Sequence, residues 1–101
     1  MIEEEAFAHC ENLKQVIFDP GSAVTEIQYN AFYCSGLESF TAPSSLRKID
    51  TMAFQNCWNL KKFELNEGIM EPGLFCLYRT GITDLYVPPH VKLTREQLGL
   101  N

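Results

Sequence analysis

Basic residues are scarce in this chain: eight Lys and Arg stand against thirteen Asp and Glu, for a net charge of -5. That balance repels phosphate backbones and anionic lipid surfaces, so no nucleic-acid partner and no direct membrane insertion are expected. Long apolar runs are missing too, and none approaches the roughly 18 residues of a membrane span. Residues 1–5 hold three glutamates where a secretory signal has basic and then apolar residues, so the chain as written carries no address and no anchor. No Asn-x-Ser/Thr acceptor occurs, and nothing points to a glycosylating compartment. A Gly-rich phosphate loop, a Ser-His-Asp order, a Cys-x-x-Cys pair and paired catalytic carboxylates are also absent. The expectation is therefore a protein that is not an enzyme, with no catalytic residues, no cofactor and no metal site.

Apolar residues make up 46% of the chain and aromatics 12%, well above what disordered segments carry, so it is expected to fold. They recur at a fixed period. Ala6-Phe7, Ala31-Phe32 and Ala53-Phe54 each follow an isoleucine five residues before the Phe (Ile2, Ile27, Ile49) and precede a cysteine two or three after it (Cys10, Cys34, Cys57). A second signature comes next, Leu-x-x-apolar-x-apolar: Leu13, Val16 and Phe18; Leu37, Phe40 and Ala42; Leu60, Phe63 and Leu65; Ile82, Leu85 and Val87. Its starts lie 24, 23 and 22 residues apart. Between strand and turn sits a corner with an apolar pair three apart, Val24 with Ile27 and Leu46 with Ile49. In the fourth unit Leu74-Phe75 is read as the degenerate Ala-Phe, two extra residues intervene before Ile82, and Leu77 competes for the inward position.

The period falls within the 20 to 29 residues of leucine-rich repeats. The expected fold class is a leucine-rich repeat solenoid of the α/β horseshoe kind, β-rich with short helical turns, built of about four stacked coils. The boundaries are approximately 1–12 (partial), 13–36, 37–59, 60–81 and 82–101 (partial, with a C-terminal cap), all within one domain. Alternation along a strand points the first, fourth and sixth signature residues inward and the intervening ones to solvent. Pro20, Pro43 and Pro88 turn the chain away after each strand because proline cannot donate to a continuing ladder. Each coil offers around six apolar groups that only a neighbouring coil can cover.

With these motifs laid out, the sequence resembles the BspA-like leucine-rich repeat family, cell-surface repeat proteins of oral bacteria and parasitic protists. The family pattern, Cys-x-x-Leu-x-x-Ile-x-Ile-Pro followed by Val or Leu, Ile and Ala-Phe, is matched by residues 34–54 almost throughout. Residues 36–46 and 82–91 look especially like the protist versions. The resemblance covers roughly residues 2–93. It implies an adhesion or surface-antigen type of protein that binds host or matrix proteins, with no catalytic residues to carry over.

Single residues that could suggest chemistry have plainer readings. Cys10, Cys34 and Cys57 sit 24 and 23 apart, too far along the chain for a zinc site, and recurrence at one repeat position implies a buried column of thiols. Cys76 falls outside that column and is expected to be more accessible. His9 next to Cys10 reads as a surface turn residue, because neighbours on a turn point apart and no third orienting group is evident. Glu3, Glu4 and Glu5 form a solvated acidic start to a turn. Trp58 is either a partial cover for the core or an exposed binding aromatic.

The outward strand residues lie side by side and form the expected protein-binding surface, on the concave face. They are Lys14, Gln15 and Ile17; Glu38, Ser39 and Thr41; Lys61, Lys62 and Glu64; and Thr83, Asp84 and Tyr86, with Ile17 and Tyr86 as anchors. An intracellular scaffold of the same fold is the alternative function, and an enzyme the remote one. At the ends, Thr94 to Gln97 reads as a capping box with Leu98 as lid and Gly99 as stop. The chain starts halfway round a coil, which fits either a piece of a longer array or end-to-end self-association.

Overall fold

The computed structural model describes residues 1–100. Each coil after the first contributes one strand to each of two parallel sheets. The first sheet pairs β1 (Glu26–Ile27), β3 (Lys48–Ile49) and β5 (Glu71–Pro72) in that order, with Ile2 bridging to Ile27 at its edge. The second pairs β2 (Ser39–Thr41), β4 (Lys62–Glu64) and β6 (Asp84–Tyr86), in register Phe40 to Phe63 to Leu85. The strands are short because every coil must turn twice to return above its start.

Between the sheets lies the Ala-Phe turn, which is not helical. Within coil 2 the N–H groups of Ala31, Tyr33 and Ser35 donate back three residues, to the carbonyls of Gln28, Asn30 and Phe32. Those of Phe32 and Cys34, in between, donate to Ala53 and Gln55 of the next coil at 2.9 and 3.0 Å. A helix would send every N–H to its own fourth predecessor. Here a left-handed residue every fourth position breaks that course: Glu5, Asn30, Met52 and Phe75 in one column, His9, Cys34, Asn56 and Arg79 in the other, with φ between 54° and 62°. None is β-branched, the side-chain type for which that conformation is most costly. Two of these five donors are thereby released to stitch coil to coil.

The inward columns form the core. Phe32 stacks on Phe7 at 5.3 Å and on Phe54 at 5.1 Å, with planes within 9° and 2° of parallel. Phe40 and Phe63 stack at 5.4 Å across the strand side and meet Phe54 edge-on. Leu37, Leu60, Ile27, Ile49 and Leu46 are fully covered. Each such side chain stabilises the fold by roughly 1.5 to 3 kcal/mol relative to exposure.

Hydrogen bonding between coils corrects three expectations. Phe7 donates to Ala31, Phe32 to Ala53 and Phe54 to Cys76, so the fourth Ala-Phe is Cys76-Leu77. Leu74 and Phe75 are exposed instead, and no extra residues intervene: Pro72 stands five before Leu77, where Ile27 and Ile49 stand before their Phe. Cys76, expected to be accessible, is fully buried because it fills the small inward position of Ala31 and Ala53. Third, the thiol column is Cys10, Ser35, Cys57 and Thr80, each three residues after its Phe or Leu77, and Cys34 belongs to the left-handed column one residue earlier. Ser35 Oγ and Cys57 Sγ share a hydrogen bond of 3.3 Å, and Cys57 Sγ donates to the Phe32 carbonyl at 3.0 Å.

The C-terminal end closes as the sequence indicates. Thr94 caps α1 (Arg95–Leu98), accepting from the Gln97 amide while the Gln97 side chain accepts from the Thr94 N–H, and Gly99 ends it at φ 97°.

Candidate binding face

The second sheet presents its outward side chains in straight columns. Register places Ser39 beside Lys62 beside Asp84, and Thr41 beside Glu64 beside Tyr86. Glu38, Lys61 and Thr83 precede them, tied by backbone bonds from Lys61 N–H to the Glu38 carbonyl and from Thr83 N–H to that of Lys61. All nine expected residues of these three coils therefore share one face. Seven are exposed, while Ser39 and Glu64 are partly covered by their neighbours.

The first coil joins the face less tightly. Glu38 N–H donates to the Lys14 carbonyl at 2.9 Å, and Lys14 Nζ lies 3.8 Å from the Glu38 carboxylate. Beyond that point residues 15–18 run alongside β2 without entering the ladder. A cleft of about 230 Å³ opens between Gln15 to Phe18 and Ser39 to Pro43. Ile17 stands at its rim, 80% exposed.

Electrostatically the face is mixed. Lys62 Nζ pairs with Glu64 at 3.2 Å and sits next to Asp84 in register, so its charge is largely answered locally. Such exposed pairs contribute about 0 to 1 kcal/mol and mainly orient the side chains. Tyr86 is oriented more firmly: its hydroxyl donates to the Glu67 carboxylate, and that bond pushes the phenol above its ordinary range because a phenolate beside a carboxylate is disfavoured. Glu67 lies on the corner after β4, far in sequence from Tyr86, and no local motif marks it. The result is a fixed aromatic ring at one end of the face and a free aliphatic group, Ile17, at the other.

Outside this face a recess of about 690 Å³ lies between β5 and residues 90–93. Pro72 stands in the column of Ile2, whose N–H reaches the Glu26 carbonyl of the next coil, and has no N–H to give, so it cannot extend the first sheet past β5 in that way. The polar groups of the recess, Lys48, Asp50, Glu71, His90 and Lys92, are of mixed sign and form no catalytic constellation. Among the described residues no group of three or more His, Cys, Asp or Glu side chains could hold a metal ion, and no helix is long and apolar enough to cross a membrane. Trp58 is 58% exposed.

A family model described as a BspA type leucine rich repeat region matches residues 1–98, in six copies. Neither the curated proteins nor the solved structures include a match to this chain.

Proposed function

Since this chain belongs to the BspA-type leucine-rich repeat family, we propose that it is a non-enzymatic protein-binding module that engages its partner through the strand face of β2, β4 and β6. The observation that carries this reading is the register of the outward columns. Side chains from successive coils stand next to one another on a backbone fixed by the Phe stack behind it, so their identities can vary without disturbing the core. In a longer array of such coils, the strand side forms the concave side of a horseshoe. Tyr86 and Ile17 are the anchors, since tyrosine is among the side chains that most often dominate interface energies and Ile17 offers exposed apolar area to bury. The finer role is adhesion of the surface-antigen kind, with a host or matrix protein as partner.

The test is direct. Ile17 and Tyr86 are replaced together by serine, and binding of the wild-type and variant chains to intact cells and to purified matrix proteins is measured by surface plasmon resonance. Loss of tenfold or more in affinity, with an unchanged circular dichroism spectrum, is the expected result. Binding that survives undiminished removes the strand face from the proposal.

One observation favours a second reading. All four cysteines are unpaired, and unpaired thiols are commoner where the surroundings are reducing. An intracellular scaffold using the same face fits that feature. Antibody labelling of the native protein on unpermeabilised cells separates the two: a surface signal rules out the scaffold, and a signal only after permeabilisation rules out adhesion.

A further inference from the structure

The spacing between turn and strand alternates along the chain. It is six residues from Phe7 to Leu13, five from Phe32 to Leu37, six from Phe54 to Leu60 and five from Leu77 to Ile82. Coils 1 and 3 thus carry one more residue at this corner than coils 2 and 4. Coil 2 is drawn in so far that a Cβ at Gly36 would lie 2.1 Å from the Glu11 carbonyl oxygen, and glycine alone fits there. A recess of about 350 Å³ results, floored by Cys34 and Gly36, with Glu11 and Trp58 on the longer corners either side and His9 and Asn56 completing it.

Coil 4 shows what such a recess accepts. Above Gly81 the chain's own Lys61 lies across the gap, its Nζ 2.5 Å from where a Cβ would stand. The equivalent residue beside coil 2 is Lys14, but Lys14 reaches away to Glu38, 3.8 Å distant. The residue related to Lys61 as Glu38 is to Lys14 is Thr83, which has no carboxylate to draw Lys61 off. The recess at Gly36 is therefore built like one filled by a cation, yet its own cation is held elsewhere. The exposed Glu11 carboxylate makes no ion pair among the described residues, and the Trp58 ring is open to solvent.

From this arrangement we infer that the recess at Gly36 receives the guanidinium of an arginine side chain on a partner protein, stacked on Trp58 and paired with Glu11. A planar, weakly hydrated cation with a fork of donors suits an aromatic face next to a carboxylate better than a compact ammonium does. The site lies at the corner between turn and strand, so it stands or falls independently of the strand face.

Trp58 is the chain's one tryptophan, and its fluorescence reports on this recess alone. The probe is N-acetyl-arginine amide, titrated into the full chain, with the citrulline and lysine analogues as comparisons. The expected result is a saturable change with arginine, weakened about tenfold for citrulline, for lysine and for the Glu11→Gln chain, and abolished by calorimetry in Trp58→Ala. Tyr86→Ser, on the strand face, leaves it unaltered. An equal response to citrulline, or full binding by Glu11→Gln, overturns the proposal, and equal binding of lysine overturns the assignment to a guanidinium.

Discussion

Cys76 shows how much one position can carry. It fills the small inward site that Ala31 and Ala53 fill in earlier coils, and burial pushes its thiol up to about 12. An unfolded cysteine loses its proton near pH 8.5, at about 8.5 in model peptides. The folded chain therefore holds this proton to higher pH than the unfolded chain, which binds fewer protons above about pH 9, and stability must fall as pH rises from there towards 12. Below the unfolded value the thiol is protonated in both states and adds no pH dependence. Urea unfolding midpoints are expected to be level from pH 7 to 8 and to decline above 9, more shallowly in Cys76→Ala. Burial raises Cys57 as well, so part of the decline persists in that variant. At pH 8 a thiol reagent is expected to reach Cys10 and Cys34 in the folded chain and Cys57 and Cys76 only after denaturation, counted by mass spectrometry. The thiols were legible as a group from their spacing. Which of them face inward was not, because Cys34 follows its Phe by two residues where Cys10 and Cys57 follow by three, and a one-residue slip on a turn reverses a side chain's direction.

At the scale of the element, α1 does more than cover the last coil. Phe75 N–H donates to the Gln97 carbonyl at 2.7 Å and Leu77 N–H to that of Leu98 at 2.9 Å. These are the bonds that a further coil's turn supplies elsewhere, as Tyr29 and Ala31 do for Glu5 and Phe7. The helix therefore substitutes for a repeat in hydrogen bonding while Leu98 seals the core. Thr94→Ala is expected to cost about 1 kcal/mol through loss of the capping box. Removal of the chain from Thr94 onward is expected to cost more, seen as a lower melting temperature and loss of hydrogen-exchange protection at the Phe75 and Leu77 amides. Protection that persists at both would show that the helix is only a lid. The capping box was readable in sequence because it is local chemistry. The turn of coil 4 was misread because Leu74-Phe75 matches the residue types of Ala-Phe, whereas the bond from Phe54 to Cys76 that sets the true register crosses between coils.

The whole molecule is a stack in which each coil touches only its neighbours, so stability is uneven along it. β2 and β4 have a strand on at least one side and the Phe stack behind, whereas residues 15–18 lie against β2 without joining its ladder. Hydrogen exchange is expected to be slowest at Phe40, Phe63 and Ala53 and at least about tenfold faster from Gln15 to Phe18, and equal protection across these segments would mean that the first coil is fully docked. Much of this architecture follows from the sequence alone. Period, inward columns, proline corners and the cap are set by the need to bury Leu, Ile and Phe at intervals that only stacking can satisfy. The outward residues of the strand face follow from the same alternation. Tertiary structure alone decided the pairing of coil with coil, the burial of Cys76, the anchoring of Tyr86 by Glu67 and the recess between Glu11 and Trp58. Each of these joins residues about 19 to 47 positions apart, across coils, through contacts that exist only once the chain has closed a full turn and come to lie against itself.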